Sequence, residues 1–204
     1  MVKTNVNFVF LTDKYVYKIK QPVKLFGGKI DYTTLAKRKK ATYDEYKINK
    51  LFSPEIYTGI VPITLDKKTK IKINDKGEIV DYAIEMKRLP QDKELFQLIK
   101  KNKITEKEVK LLATNLKNIH KKLSRGKKYR KYGSINFIKQ RWQEIFDWMN
   151  ERYMKKIIPI FIKNKLLKWF RKNFSFFAIH IRKRRIHAQR IHGDLNTENI
   201  FYIN

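Results

Sequence analysis

Cysteine does not occur in the 204 residues, so the chain has no disulfide framework, no thiolate metal site and no cysteine nucleophile. Acidic side chains are scarce: 19 Asp and Glu stand against 48 Lys and Arg, a formal charge of +29. Long uncharged runs are lacking too. Nothing approaches the roughly eighteen apolar residues of a membrane span, and residues 1–13 lack the basic and apolar regions of a leader, so the reading is a soluble cytoplasmic protein with no membrane partner. There is no internal repeat and no low-complexity linker, and Phe26-Gly27-Gly28-Lys29 lacks the spacing of a Walker motif.

The chain is nevertheless 42% apolar and 13% aromatic, far too much for a disordered polycation, so a folded body carries the charge. Its length suffices to bury a core as one domain or as two small lobes. The first hundred residues hold 21 basic and 12 acidic side chains, the remaining 104 hold 27 and 7. Such a charge suits a nucleic-acid partner, because clustered cations release counterions from a phosphate backbone. Only 11 of the cations are Arg, the better phosphate reader, and the patches at 37–40, 127–131 and 182–185 fit solvated helix faces equally well.

Apolar runs at 7–12 and 15–20, separated by Asp13-Lys14, predict a hairpin. Residues 33–52 predict a helix whose inward stripe is Ala41, Glu45, Ile48 and Phe52, with Asp44 pointing elsewhere; Pro54 ends it. Strands follow at 59–65, 69–74 and 78–86, with Asp75-Lys76-Gly77 as a turn. After Lys87-Arg88-Leu89-Pro90 the period becomes helical, which divides the chain into an N-lobe at 1–88, a sheet with one helix, and a helical C-lobe at 89–204. Thr105 and Glu108 form a capping box ahead of an apolar stripe of Val109, Leu112, Leu116, Ile119 and Leu123. His120 shares that stripe and is read as a core residue. Helices are expected at 135–153, 160–174 and from Phe176 to about Arg190, with Trp142, Phe146, Trp169 and Phe170 in their core.

The most specific segment is 191–201. His192-Gly193-Asp194-Leu195 with Asn199 follows the H-x-D-L-x-x-x-N pattern of a phosphotransferase catalytic loop. Asp194 would accept the proton of an attacking hydroxyl, and Asn199 would offer its carbonyl oxygen to Mg²⁺ beside the phosphates of ATP. Leu195 and Ile200 would anchor the loop in the core, and His192 would brace it by packing and a backbone hydrogen bond. Upstream, Val16 and Lys18 share a strand face, placing an apolar contact for adenine beside an ammonium for the α and β phosphates; Lys20 on the same face is the alternative phosphate lysine. Glu45 is the helical carboxylate that would hold the lysine. The strand 82–86 running into Lys87-Arg88-Leu89-Pro90 resembles a hinge whose backbone, at Glu85, Met86 and Lys87, hydrogen-bonds adenine.

Val9-Phe10-Leu11-Thr12, residues 15–23, Asp31-Tyr32-Thr33-Thr34-Leu35, Leu51-Phe52-Ser53-Pro54-Glu55-Ile56-Tyr57, residues 59–63, Glu85-Met86-Lys87-Arg88-Leu89-Pro90 and the terminal His-Gly-Asp-Leu together resemble the bacterial aminoglycoside-phosphotransferase-like proteins, the branch often fused to a P-loop ATP-binding domain. The resemblance covers nearly the whole chain. It implies an α+β, two-lobed protein-kinase-like fold and transfer of the γ-phosphoryl group of ATP, with magnesium, to a hydroxyl of a small molecule. It assigns Asp194 as the base, Asn199 as a magnesium ligand, and Lys18 with Glu45 as the phosphate-binding ion pair. Two departures stand out. Thr12-Asp13-Lys14 replaces the glycine usual in the first hairpin, and the sequence stops at Asn204, before the second acidic motif and the further helices. The resemblance therefore implies a C-terminally truncated copy of an enzyme or a reduced form. A catalytically inactive kinase-like remnant that binds nucleotide is the alternative, and a basic nucleic-acid-binding protein the second alternative.

Overall fold

The computed structural model describes residues 1–123, 126–150 and 156–203. Among the described residues these elements follow one another: β1 (Val2–Lys3), β2 (Asn7–Leu11), β3 (Tyr15–Lys20), β4 (Lys24–Leu25), β5 (Ile30–Asp31), α1 (Leu35–Phe52), β6 (Tyr57–Leu65), β7 (Ile71–Ile73), β8 (Glu78–Lys87), α2 (Leu95–Lys100), α3 (Glu106–Lys122), α4 (Lys127–Arg130), α5 (Ile135–Trp148) and α6 (Ile160–Arg184). The fold is α+β. Six strands form one curled antiparallel sheet in the order β1-β2-β3-β8-β6-β7, and β4 and β5 make a separate ribbon. Register shifts at Tyr57/Gly59 and Ile63/Thr64 of β6 supply bulges, which bend a sheet and increase its twist.

Local chemistry explains the elements that position the site. The β2–β3 turn closes on Thr12, whose Oγ1 donates to the Tyr15 carbonyl at 2.9 Å and accepts its N–H at 3.0 Å. Thr34 caps α1 by accepting the Lys37 N–H at 3.3 Å, so the helix begins at Leu35, two residues inside the predicted start at 33. Ala41, Glu45, Ile48 and Phe52 all lie half-buried on its inner side, and Asp44 faces solvent in an ion pair with Lys40. The sheet core is Val61, Ile63 and the fully buried Ala83, with Tyr17 and Ile19 packed against it.

The chain forms two compact units, Met1–Ile119 with residues 192–203, and His120–Ile191. The last residues thus belong with the sheet. Ile200 O accepts the Leu95 N–H at 2.8 Å, the Tyr202 N–H donates to Lys93 O at 2.9 Å, and the Tyr202 hydroxyl donates to Glu108 O at 2.6 Å. In the helical unit α5 and α6 pack through rings: Trp142 stacks on Phe170 at 4.5 Å, and Phe146 and Phe174 are buried.

Several sequence expectations change. Residues 160–184 are one helix rather than two, because neither glycine nor proline interrupts them and Ser175 is tolerated within a helix. α5 ends at Trp148, and Tyr153 lies outside the described residues. Thr105 and Glu108 form the capping box, yet Val109 is 53% exposed, because the inner face of α3 runs through Glu108, Leu112, Leu116 and Ile119. His120 is half-buried rather than a core residue. Trp169 is 52% exposed and Trp142 38%, so of the four aromatics assigned to the helical core only Phe146 is buried, and Phe170 is half-buried.

Candidate functional site

Three strand positions and one helix position build the first half of the site. Alternation on β3 puts Val16, Lys18 and Lys20 on one face, and the register sets Val16 opposite Met86 and Lys18 opposite Ile84 of β8. α1 carries Glu45 to this face. Its carboxylate is bound by both lysines, Lys18 Nζ to Oε1 at 2.8 Å and Lys20 Nζ to Oε2. The lysines differ in access: Lys20 is 6% exposed and Lys18 29%. Burial would raise the Glu45 pKa, but the two ammonium groups outweigh it and hold the carboxyl below the usual range. Tyr32 and Tyr57 share its surroundings. Burial, reinforced by the charge of Glu45, pushes the Tyr57 phenol up to about 12, and the Lys20 ammonium sits 5.2 Å from the Tyr32 ring centre.

The second half is the loop His192–Asn199, a local network of side chains. Gly193 takes φ +90, a left-handed conformation that costs other residues strain, and turns the chain between His192 and Asp194. The Asp194 carboxylate accepts from two amides, Asn196 Nδ2 to Oδ1 at 3.2 Å and Asn199 Nδ2 to Oδ2 at 3.1 Å. Asn199 Nδ2 also donates to Asp194 O at 2.9 Å, so its amide nitrogen is committed to the loop and its carbonyl oxygen turns away. Asn196 in turn caps the 3-10 turn Thr197–Asn199 by accepting the Glu198 N–H at 2.9 Å. Asp194 is exposed.

His192 connects the two halves. Its ring meets Phe52, the last residue of α1, edge-on at 4.9 Å, and its Nδ1 accepts the Asp194 N–H at 3.3 Å. Burial lowers its pKa; Asp194 and Glu45 pull the other way, and Lys18 adds to the lowering. The ring lies within electrostatic range of the Lys18–Glu45 pair and of Asp194 alike.

The loop's anchors are only partly those expected. Leu195 is 38% exposed, so it does not anchor the loop in the core. Holding falls to the amide network, to His192 on Phe52, and to residues 200–202 pinned on 93–95. At the end of β8, Glu85 turns its side chain away from Lys18, and Thr58 donates to its Oε1 at 2.7 Å. The Lys87 N–H is taken by Ile56 O and the Arg88 N–H by Lys14 O, each at 2.9 Å. The next N–H, that of Leu89, has no hydrogen-bond partner among the described residues.

Asn196, Tyr32, Tyr57 and the Phe52–His192 contact did not emerge from sequence reasoning. Asn196 had a usable signal, an Asn ahead of Thr-Glu-Asn as a turn cap. The tyrosines had none, since their place beside Glu45 depends on tertiary packing. Among the described residues no group of three or more His, Asp or Glu side chains could hold a metal, and no described helix is long and apolar enough to cross a membrane. No family model, curated protein or solved structure matches the chain.

Proposed function

We propose that the chain is an ATP-dependent phosphotransferase of the kinase-like, aminoglycoside-phosphotransferase-like type, acting on a hydroxyl of a small molecule. The observation that carries this reading is the gathering of Lys18–Glu45 and the His192–Asp194–Asn199 loop in one compact unit, with His192 packed on Phe52 of α1 and accepting the Asp194 N–H. Phosphoryl transfer needs little covalent chemistry from a protein, chiefly a cation at the phosphates, a carboxylate at the nucleophile and their mutual positioning.

Lys18, the more exposed of the two lysines, meets the phosphates; Lys20 keeps Glu45 in place from the buried side. Val16 and Met86, paired across the strands, give the adenine an apolar surface, and the Leu89 N–H is the donor left open beside it. Asp194 accepts the proton of the acceptor hydroxyl, its orientation fixed by the amides of Asn196 and Asn199. Magnesium would be held by Asn199 Oδ1, which turns away from Asp194, with the substrate phosphates supplying its other anionic ligands, and Asp194 stays free of the ion to act as the base. The ion's chemistry there is to neutralise charge developing on the phosphate oxygens.

Thermal unfolding with and without MgATP tests the reading. Ligand at about a hundred times its Kd stabilises by about 2.7 kcal/mol, a rise of several degrees for a chain of this size. Lys18→Ala removes the rise. An unchanged melting temperature of the wild type up to millimolar MgATP refutes the proposal.

A further inference from the structure

The charge of the protein is concentrated where the nucleotide site is not. Residues 120–191 carry 22 Lys and Arg against three acidic residues, and α6 alone carries eight cations and no carboxylate. The same unit has a cleft of about 710 Å³ between α5 and α6. Its walls are aromatic, formed by Trp142, Trp169, Phe170, Phe174 and Phe177. At one end stand Arg184 and Arg185 with His180 and His187. Arg185 spends one N–H on Arg130 O at 3.2 Å, and neither arginine pairs with a carboxylate among the described residues.

We infer that this cleft binds an amphipathic organic anion, an apolar body lying along the aromatic walls with one carboxylate or phosphate head at Arg184 and Arg185. The volume and lining are those of a small-molecule site, mostly apolar with a few polar groups at one end that fix orientation. Arginine offers a fork that grips either head group by two hydrogen bonds. Concavity favours a single free chain or ring over a bilayer surface, which a flat or convex amphipathic face would suit better. The site lies wholly within residues 133–188 and does not depend on the phosphotransfer reading.

Trp142 and Trp169 in the walls supply the readout. 12-Bromododecanoate, whose bromine quenches indole emission on contact, is titrated into the full chain below its micelle concentration. Saturable quenching is expected, weakened roughly tenfold or more in Arg184→Gln/Arg185→Gln, the loss typical of charge-assisted hydrogen bonds. Lys168→Gln/Lys172→Gln removes equal charge from α6 away from the cleft and leaves the affinity unchanged. Trp142→Phe/Trp169→Phe abolishes the quenching while Trp148→Phe retains it, and circular dichroism verifies that each variant is folded. Equal weakening by the lysine and arginine pairs, equal affinity for 12-bromododecanol, or quenching only when vesicles of phosphatidylglycerol and phosphatidylcholine are present each overturns the inference.

Discussion

Glu45 holds two cations with one carboxylate, and that ratio governs what its loss does. Glu45→Gln leaves Lys18 and the buried Lys20 facing each other without a counter-charge. Removing one partner strands the others, and because Lys18 and Glu45 are partly open to solvent the substitution costs about 2 kcal/mol at neutral pH, less than the loss from a fully buried pair. The pH dependence has a definite sign. Lys18 and Lys20 hold the Glu45 carboxyl below its ordinary range in the folded state, so the unfolded chain binds the proton first as pH falls. The wild type's advantage over Glu45→Gln is therefore complete above an unfolded pKa of about 4.3 and shrinks as pH drops below it through the folded pKa. Melting temperatures of the two proteins from neutral pH to below pH 4 check this; a gap that stays constant would show that the lysines do not bind the carboxylate. At this scale the sequence was informative where spacing decides the outcome. Strand alternation placed Lys18 and Lys20 on one face, and the helical stripe placed Glu45 inward. It was uninformative for Leu195, because an apolar residue inside a polar loop has no period to reveal whether the core reaches it.

Elements with strong local signals formed where the sequence put them. The β2–β3 hairpin, α1, the Thr105 capping box and the β7–β8 turn each have a cap, a turn residue or an alternation to define them. Elements without such signals went unread: α2 and α4 span six and four residues, too short to show a period. α6 was divided where no breaker exists, since its apolar residues face both the α5 interface and the cleft and so blur the helical stripe. The β7–β8 turn gives a prediction at this scale. Gly77 sits at φ +150, and a Cβ there would lie 2.4 Å from the Leu65 carbonyl oxygen. Backbone must move to admit it. Gly77→Ala therefore destabilises by about 1–3 kcal/mol, a range typical of strain at special backbone positions, read as a fall in melting temperature. An unaltered melting temperature would mean that the turn does not hold this geometry.

Across the whole molecule, charge and candidate chemistry separate along the chain. The sheet unit, residues 1–119 with 192–203, holds the candidate nucleotide site, and residues 120–191 hold the larger share of the +29. Like charges so outnumber opposite ones that self-repulsion opposes compactness. Raising NaCl from about 0.05 to about 0.5 M shortens the screening length severalfold and raises the melting temperature; a fall would mean that the ion pairs outweigh the repulsion. The most direct test of the central claim is the release of inorganic phosphate from MgATP, with water as acceptor, by the wild type, Lys18→Ala and Asp194→Ala. Slow wild-type turnover is expected. In Asp194→Ala it falls roughly a hundredfold or more, the scale of a lost general base, while the MgATP-induced rise in melting temperature persists; in Lys18→Ala both disappear. Phosphate release by Asp194→Ala at the wild-type rate would contradict the assignment of Asp194 as the base and the phosphotransfer reading with it.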